Sequence, residues 1–376
     1  MKFVVSSIEL LGHIQTVSRV ISNKNTLPIL DNVLFKLEGN SLELTASDLE
    51  STFSTKLDLE NVSEAGSIAI PAKLLLDTLK EFPDQPLTFD VNTDTYAVVI
   101  STENGQFTIM GQNGDDFPQF PTIREDEENS FEVTTDILLN GINNTLFATA
   151  DDELRPVMNG IFLELSTDNV TFVASDAHKL VRYKRSDAKA ESDASFILPK
   201  KPSGLLKGIL AKEEASIKVS FDSKNAFFNL PNYQLVCRLV EGNYPSYNSV
   251  IPTENPNRVT IDRLQILNSL KRVSVFSNQA SNLVKLQLKG NEMTISAQDI
   301  DFSISAYERV ACQYEGDDLE IGFKSVFLVE ILQNLQTADV VIELSDPSRA
   351  GIILPLEKEN DDEDVLMLLM PMMINS

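Results

Sequence analysis

Ser175, Asp176 and His178 are the side chains that come nearest to a reactive set, a hydroxyl, a carboxylate and an imidazole within four positions. Neighbours on one turn cannot act as nucleophile, base and orienter, because those groups must converge from separate segments. His13 is the other histidine and falls in a helix-like pattern, where a satisfied structural imidazole is the expected reading. Cys237 and Cys312 lie far apart without CxxC spacing, so neither a disulfide framework nor a zinc site is indicated. The sequence holds no P-loop, no GxGxxG turn after a strand and no paired carboxylates beside a glycine-rich loop. The expectation is a protein with no intrinsic enzymatic activity, no metal and no cofactor.

What remains is charge. Against 56 Asp+Glu the chain has 31 Lys+Arg, a net charge of −25 that on its face argues against a polyanionic partner. The distribution answers this. Six stretches read as helices, residues 7–24, 72–82, 135–150, 200–212, 262–276 and 324–336. They carry Arg19, Lys24, Lys73, Lys80, Lys200, Lys201, Lys207, Lys212, Arg263, Lys271, Arg272 and Lys324 against six acidic residues. Their net charge is +6, so the rest of the chain, to reach −25, carries −31. Solvent-facing lysines on amphipathic helices produce such a bias by themselves. It acquires meaning only if the helices are gathered on one face.

An internal repeat supplies that condition. An apolar strand leads into a short helix and out to another strand three times: GSIAIPAKLLLDTLKEFPDQPLTFDV from Gly66, ASFILPKKPSGLLKGILAKEEASIKVSF from Ala194, and DLEIGFKSVFLVEILQNLQTADVVIEL from Asp318. Pro71, Pro199 and Phe323 take equivalent places in this alignment. Upstream, a strand ends at an aspartate turn in each copy, at Asp48, Asp176 and Asp299, spacings of 128 and 123 residues. Before each turn lies a segment with apolar residues at three and four: Ile8, Leu11, Ile14, Val17 and Ile21, then Leu138, Ile142 and Leu146, then Leu264, Leu267 and Leu270. Alternation at Asn32–Leu37, Phe89–Ile100, Gly160–Leu165 and Leu283–Leu288 reads as half-buried antiparallel strands. The fold class is therefore α+β, with two helices packed on antiparallel sheets in each repeat. Proline, acidic and polar residues cluster at 117–130 and 244–258, which divides the 376 residues into 1–125, 126–252 and 253–376.

Glu9 interrupts the only apolar stretch near the N-terminus, and the longest strongly apolar run, Val365–Ile374, is too short to cross a bilayer. A cytoplasmic location without a membrane partner is expected.

These features resemble one family over essentially the full length, the bacterial DNA polymerase III beta subunit, or sliding clamp. The resemblance rests on MKF at Met1, TLPIL at Thr26, DLE at Asp48, PAK at Pro71, DFP at Asp116, NG at Asn159, SDAHKL at Ser175, EGNYPSY at Glu241 and MPM at Met370, in the family's order. It implies three repeated clamp domains and a head-to-tail dimeric ring. Such a homodimer encircles double-stranded DNA without sequence preference as a processivity factor in DNA replication. It also implies partner proteins, namely the replicative polymerase alpha subunit, the clamp loader and repair proteins, captured through short peptide motifs.

The resemblance further implies site residues. DNA-binding positions fall on Lys24, Lys73, Lys200 and Lys201. A hydrophobic peptide groove falls on Arg155, Met158, Ser175, Ala177, His178, Leu180, Pro245, Val250, Phe327, Met370, Pro371 and Met372. The ring interface falls on Phe107 and Ile109 against Val275 and Phe276. The chain departs from the family's pattern at several places. Asp151 and Asp152 stand where relatives tend to be uncharged or basic, Ala177 replaces a usual glycine, Lys179 a usual arginine, and Ser249 falls where many relatives have arginine. Asn375 and Ser376 extend past the typical end. The alternative is a peptide-binding scaffold that does not encircle DNA.

Overall fold

A strand that runs straight into a helix recurs six times in the computed structural model, which describes residues 1–123, 128–358 and 360–374. The helices are α1 (Ser7–Val17), α2 (Ala72–Lys80), α3 (Thr135–Thr145), α4 (Lys200–Leu210), α5 (Arg263–Ser274) and α6 (Ser325–Asn334). Each follows its strand without a loop: Lys2–Ser6, Gly66–Pro71, Asn129–Thr134, Ala194–Pro199, Asn257–Asp262 and Leu319–Lys324. Polar caps close the junction at α1 and α5. The Ser6 hydroxyl accepts a hydrogen bond from Glu9 N at 3.5 Å, and the Asp262 carboxylate one from Gln265 N at 2.7 Å.

The register corrects one alignment made from sequence. Pro71 pairs with Asn32 and Pro199 with Gly160, each opening its partner strand, but the residue that pairs with the corresponding Leu283 is Lys324. The equivalent of the two prolines is thus Lys324, one position beyond Phe323.

α1 is also shorter than its periodicity predicts. It stops at Val17, followed by a 3-10 turn at Ser18–Val20, so Ile21 and Lys24 lie outside it. Local side-chain bonds compete with the helix there: Ser22 Oγ accepts from Lys24 N at 3.2 Å, and Asn25 Nδ2 donates to Asp31 Oδ1 at 2.7 Å. The buried stripe of α1 is Ser7, Leu10, Ile14 and Val17, while Ile8 is 56% exposed. Ser7 is accepted inside because its hydroxyl donates to Pro83 O at 2.8 Å and accepts from Gln85 N at 3.1 Å. In α5, likewise, Leu267 and Leu270 are buried but Leu264 is exposed. The expected strand at Phe89–Ile100 is two, Pro86–Val91 and Ala97–Ser101, paired as a hairpin about residues 92–96.

The chain forms two compact units. The first, Met1–Asp136 with Gly204–Leu239, holds a five-stranded and a nine-stranded sheet. The nine-stranded sheet becomes continuous where Ser51–Asp58 pairs antiparallel with Tyr233–Arg238, Phe53 opposite Leu235. The second unit, Ile137–Ser203 with Val240–Ser376, holds another nine-stranded sheet and a four-stranded one. There the join is Lys179–Arg185 with Glu363–Leu369, Lys179 opposite Leu369 and Arg185 opposite Glu363. Residues 124–127, which contain the boundary expected near 125, and the terminal Asn375 and Ser376 lie outside the described residues.

Gly141, in the middle of α3, is required by packing. A Cβ there would stand 2.6 Å from the ring of Phe172, which is fully buried and backed by Tyr183 at 6.0 Å between centroids. Gly141→Ala gains about 1 kcal/mol of helix propensity but overpacks the ring at a cost of about 1–3 kcal/mol. The expected outcome is a net loss of stability, read as a lower urea midpoint at unchanged m-value.

Candidate DNA-facing and peptide-binding surfaces

The three aspartate turns are built alike. Asp48 Oδ1 accepts from the backbone N–H groups of Glu50 and Ser51 at 3.1 and 2.7 Å, and Asp176 Oδ1 from His178 and Lys179 at 2.9 and 2.8 Å. Asp299 Oδ1 does the same for Asp301 and Phe302 at 3.0 and 3.4 Å. In the first two turns the preceding serine completes the motif, Ser47 Oγ donating to Ser51 O at 3.1 Å and Ser175 Oγ to Lys179 O at 2.9 Å. Ser175 is therefore a buried turn residue, and its hydroxyl is engaged with backbone rather than with His178.

Holding the turn at Asp176 places His178 and Lys179 against α6. The His178 ring stacks on Phe327 with centroids 5.5 Å apart. Lys179, only 4% exposed, lies 4.4 Å above the same ring and pairs with Asp176 Oδ2 at 2.7 Å and Glu330 Oε2 at 3.0 Å. Lys324 approaches the ring from 4.9 Å. The C-terminal segment closes one side: Met370 N donates to His178 O at 2.9 Å and Met372 N to Gly322 O at 2.8 Å. Gly322 permits that approach, since a Cβ there would meet Met372 O at 2.8 Å.

Leu180, the next residue along the strand after Lys179, is buried with Val173, Tyr247, Ile352, Leu366 and Leu368, and Phe162, Tyr244 and Ile251 pack against them. Phe162 and Tyr244 stack at 4.8 Å. Sequence reasoning did not select Phe162, Tyr244 or Tyr247, although the two tyrosines flanking Pro245 in EGNYPSY were a signal for them. Ala177, His178, Leu180, Phe327, Met370, Pro371 and Met372 are thus brought together. Pro245 and Val250 are exposed on the segment that packs through Tyr247 onto the same cluster. Arg155 and Met158 stand on the 150–159 loop, where Arg155 Nε donates to Asp152 Oδ2 at 2.8 Å. The Arg155 guanidinium holds the Asp152 carboxyl below the usual carboxylate range.

Of the DNA-facing candidates, Lys24 lies in a turn, Lys73 in the first turn of α2, and Lys200 and Lys201 open α4. Lys24 and Lys73 are exposed and make no ion pair among the described residues, whereas Lys200 Nζ pairs with Asp151 Oδ2 at 2.6 Å. With the observed helix limits, the six helices hold eight basic residues against four acidic ones. Besides Lys200, Lys80 lies 3.5 Å from Asp77 Oδ1, and both helical arginines of α5 are engaged. Arg263 donates to the carbonyls of Thr337 and Leu332, and Arg272 grips Glu308 through two bonds of 2.6 and 2.7 Å.

Two of the sheet edges carry exposed apolar side chains. The strand Gln106–Met110 ends the five-stranded sheet of the first unit, and Ile304–Ala311 ends the four-stranded sheet of the second. Phe107 is partly exposed and packs on Phe82 at 5.0 Å, but Ile109 is 5% exposed and belongs to the core of its own sheet. Val275, 73% exposed, and Phe276 follow α5, and Phe302, Ile304 and Tyr307 are exposed along the other edge. Exposed apolar residues on a free strand edge call for a covering partner.

Other chemistry is sparse. Burial pushes the Cys237 thiol up to about 12, away from a reactive thiolate. Among the described residues no group of three His, Cys, Asp or Glu side chains could hold a metal ion, and no helix is long and apolar enough to cross a membrane.

Comparison with known proteins agrees along the whole chain. Family models for the N-terminal, central and C-terminal domains of the DNA polymerase III beta subunit match residues 1–121, 132–246 and 248–373. The beta sliding clamp of Synechococcus elongatus is 30% identical with complete coverage of both chains. The chain belongs to the DNA polymerase III beta-subunit family. The beta sliding clamp of Pseudomonas aeruginosa is 29% identical over 99% of this chain. A crystal structure of the Pseudomonas aeruginosa clamp bound to griselimycin superposes with a TM-score of 0.93 at 28% identity, covering all of both chains. The beta subunit of Thermotoga maritima gives 0.90 at 27% identity, again complete. The family's fold is three clamp domains and its role that of a DNA sliding clamp, a non-catalytic processivity factor in DNA replication.

One departure is directly testable. Ala177 holds a left-handed backbone, φ 74°, at the tip of the turn that carries His178. Relief of that strain is worth roughly 1–2 kcal/mol, and the extra freedom of an unfolded glycine takes back about 0.4–1 kcal/mol. Ala177→Gly is expected to raise stability by about 0.5–1 kcal/mol in denaturant titrations.

Proposed function

We propose that two copies of this chain join head to tail into a ring around duplex DNA and tether the replicative polymerase, the clamp loader and repair proteins to it. The observation that carries this reading is the family match over the full length of a chain whose strand-and-helix unit recurs six times. Three clamp domains, 1–125, 126–252 and 253–376, are the proposed building blocks. The helices, richer in bases than the rest of a chain of net charge −25, form the lining, where Lys24, Lys73, Lys200 and Lys201 meet phosphates without reading sequence. The acidic remainder repels DNA from the outside. A soluble replication protein of this kind works in the cytoplasm.

The peptide site is the surface around Phe327. Its buried floor offers apolar anchorage, and His178, Pro245, Val250 and the exposed or half-buried methionines Met370 and Met372 offer a rim that adapts to varied peptides. Arg155 and Met158 extend it, with Ser175, Ala177 and Leu180 shaping it from below. The ring interface is the edge Gln106–Met110 of one protomer against Ile304–Ala311 of its partner, with Phe107, Val275 and Phe276 at the contact. Ile109 supports this edge from the core.

Loading the protein onto closed circular DNA with a clamp loader tests the reading. A ring remains on the circle through gel filtration and is released once the circle is cut. A scaffold that binds peptides alone is never retained. Val275→Asp, at an exposed position after α5, is expected to convert the dimer to monomer at micromolar concentration, measured by light scattering, while leaving the thermal transition of the fold in place.

A further inference from the structure

We propose that Asp151 is an electrostatic mask on Lys200, so that at this point the chain holds DNA more weakly than its helix charge would allow. The inference rests on the DNA-encircling reading above. Lys200 opens α4, and its ammonium stands 2.6 Å from Asp151 Oδ2, with the two side chains 42% and 81% exposed.

The pairing is built into the backbone. Asn159 Oδ1 accepts from Asp152 N at 2.9 Å and Asn159 Nδ2 donates to Asp152 O at 3.0 Å, so one side chain clamps the peptide unit next to Asp151. The carbonyl of the same Asn159 accepts from Lys200 N at 3.1 Å. The acidic loop is therefore tied to the start of α4 through a single residue, and Asp151 is carried to the lysine by main-chain bonds. Asp152 is occupied separately, by Leu154 N and Arg155 Nε. Of the two adjacent carboxylates, one thus faces the DNA-facing helix and the other the peptide site.

An exposed ion pair is weak enough for a phosphate to displace. Displacement still costs the lysine its partner and leaves a carboxylate beside the DNA strand. A lysine already neutralised inside the protein also adds little to counterion release, which appears in the salt dependence of binding.

The test is binding of the full-length native protein and its variants to a short fluorescent linear duplex, by anisotropy across a salt series. Asp151→Asn is expected to bind about two- to fivefold more tightly at low salt, the range open to one exposed charge contact. Its log–log salt slope should be steeper by roughly 0.9, one additional phosphate contact. Lys200→Ala in the Asp151→Asn background removes that gain, and there it lowers affinity by a larger factor than the same substitution does in the native background. Glu191→Gln, an exposed acid on another loop, leaves affinity near native. Unchanged or weaker binding by Asp151→Asn overturns the proposal, the weaker result meaning that Asp151 positions the lysine for DNA. A gain that survives Lys200→Ala, or that Glu191→Gln reproduces, overturns it as well. Failure of every protein, native included, to bind the duplex at any salt would overturn this inference alone, since a ring can slide off a linear duplex, whereas loss of retention on a closed circle is what overturns the DNA-encircling reading.

Discussion

Antiparallel pairing between strands far apart in the sequence is the constraint on which the rest depends. Lys179–Arg185 lies beside Glu363–Leu369, and that register decides where every candidate groove residue near it can be. Because side chains alternate along a strand, a slip of one residue would turn Leu180, Leu366 and Leu368 out of the cluster they share. It would also break the polar end of the same pairing, where Tyr183 donates to Glu363 and Arg182 to Asp364. Apolar burial at one end and charged hydrogen bonds at the other oppose such a slip. Ser51–Asp58 with Tyr233–Arg238 makes the corresponding join in the first unit, reinforced by Thr55, which donates to Asn232 O at 2.7 Å.

On this frame the candidate surfaces are made by small local devices. The turn at Asp176 is closed by its own carboxylate and by Ser175, which leaves His178 and Lys179 free to reach Phe327. Lys179 is buried, but two carboxylates and a ring face surround its charge, so desolvation is compensated. The cations in and beside the helices divide in a similar way. Arg263 and Arg272 serve the fold, Lys200 is balanced by Asp151, and Lys24 and Lys73 keep exposed charges without an ion pair among the described residues. Net helix charge therefore overstates what is available to a phosphate.

The repeat, the α+β class and most helix positions were legible in the sequence because they rest on periodicity and on recurring turn chemistry. The aspartate landmarks in particular mark one backbone motif, as the shared hydrogen bonds of Asp48, Asp176 and Asp299 make plain. What periodicity could not supply were choices made by tertiary contacts. Ser7 replaced Ile8 on the buried face of α1 because two backbone partners satisfy it. Lys324 rather than Phe323 ends its strand because register is set across the sheet. Tyr244 and Phe162 could not be joined from sequence, since they stack across 82 positions of chain.

Imaging of the purified protein by single-particle electron microscopy tests the central claim most directly. The account requires a particle containing two copies, with a central opening wide enough for duplex DNA. A compact or open particle without that opening, at a concentration where the chain is folded, would contradict it.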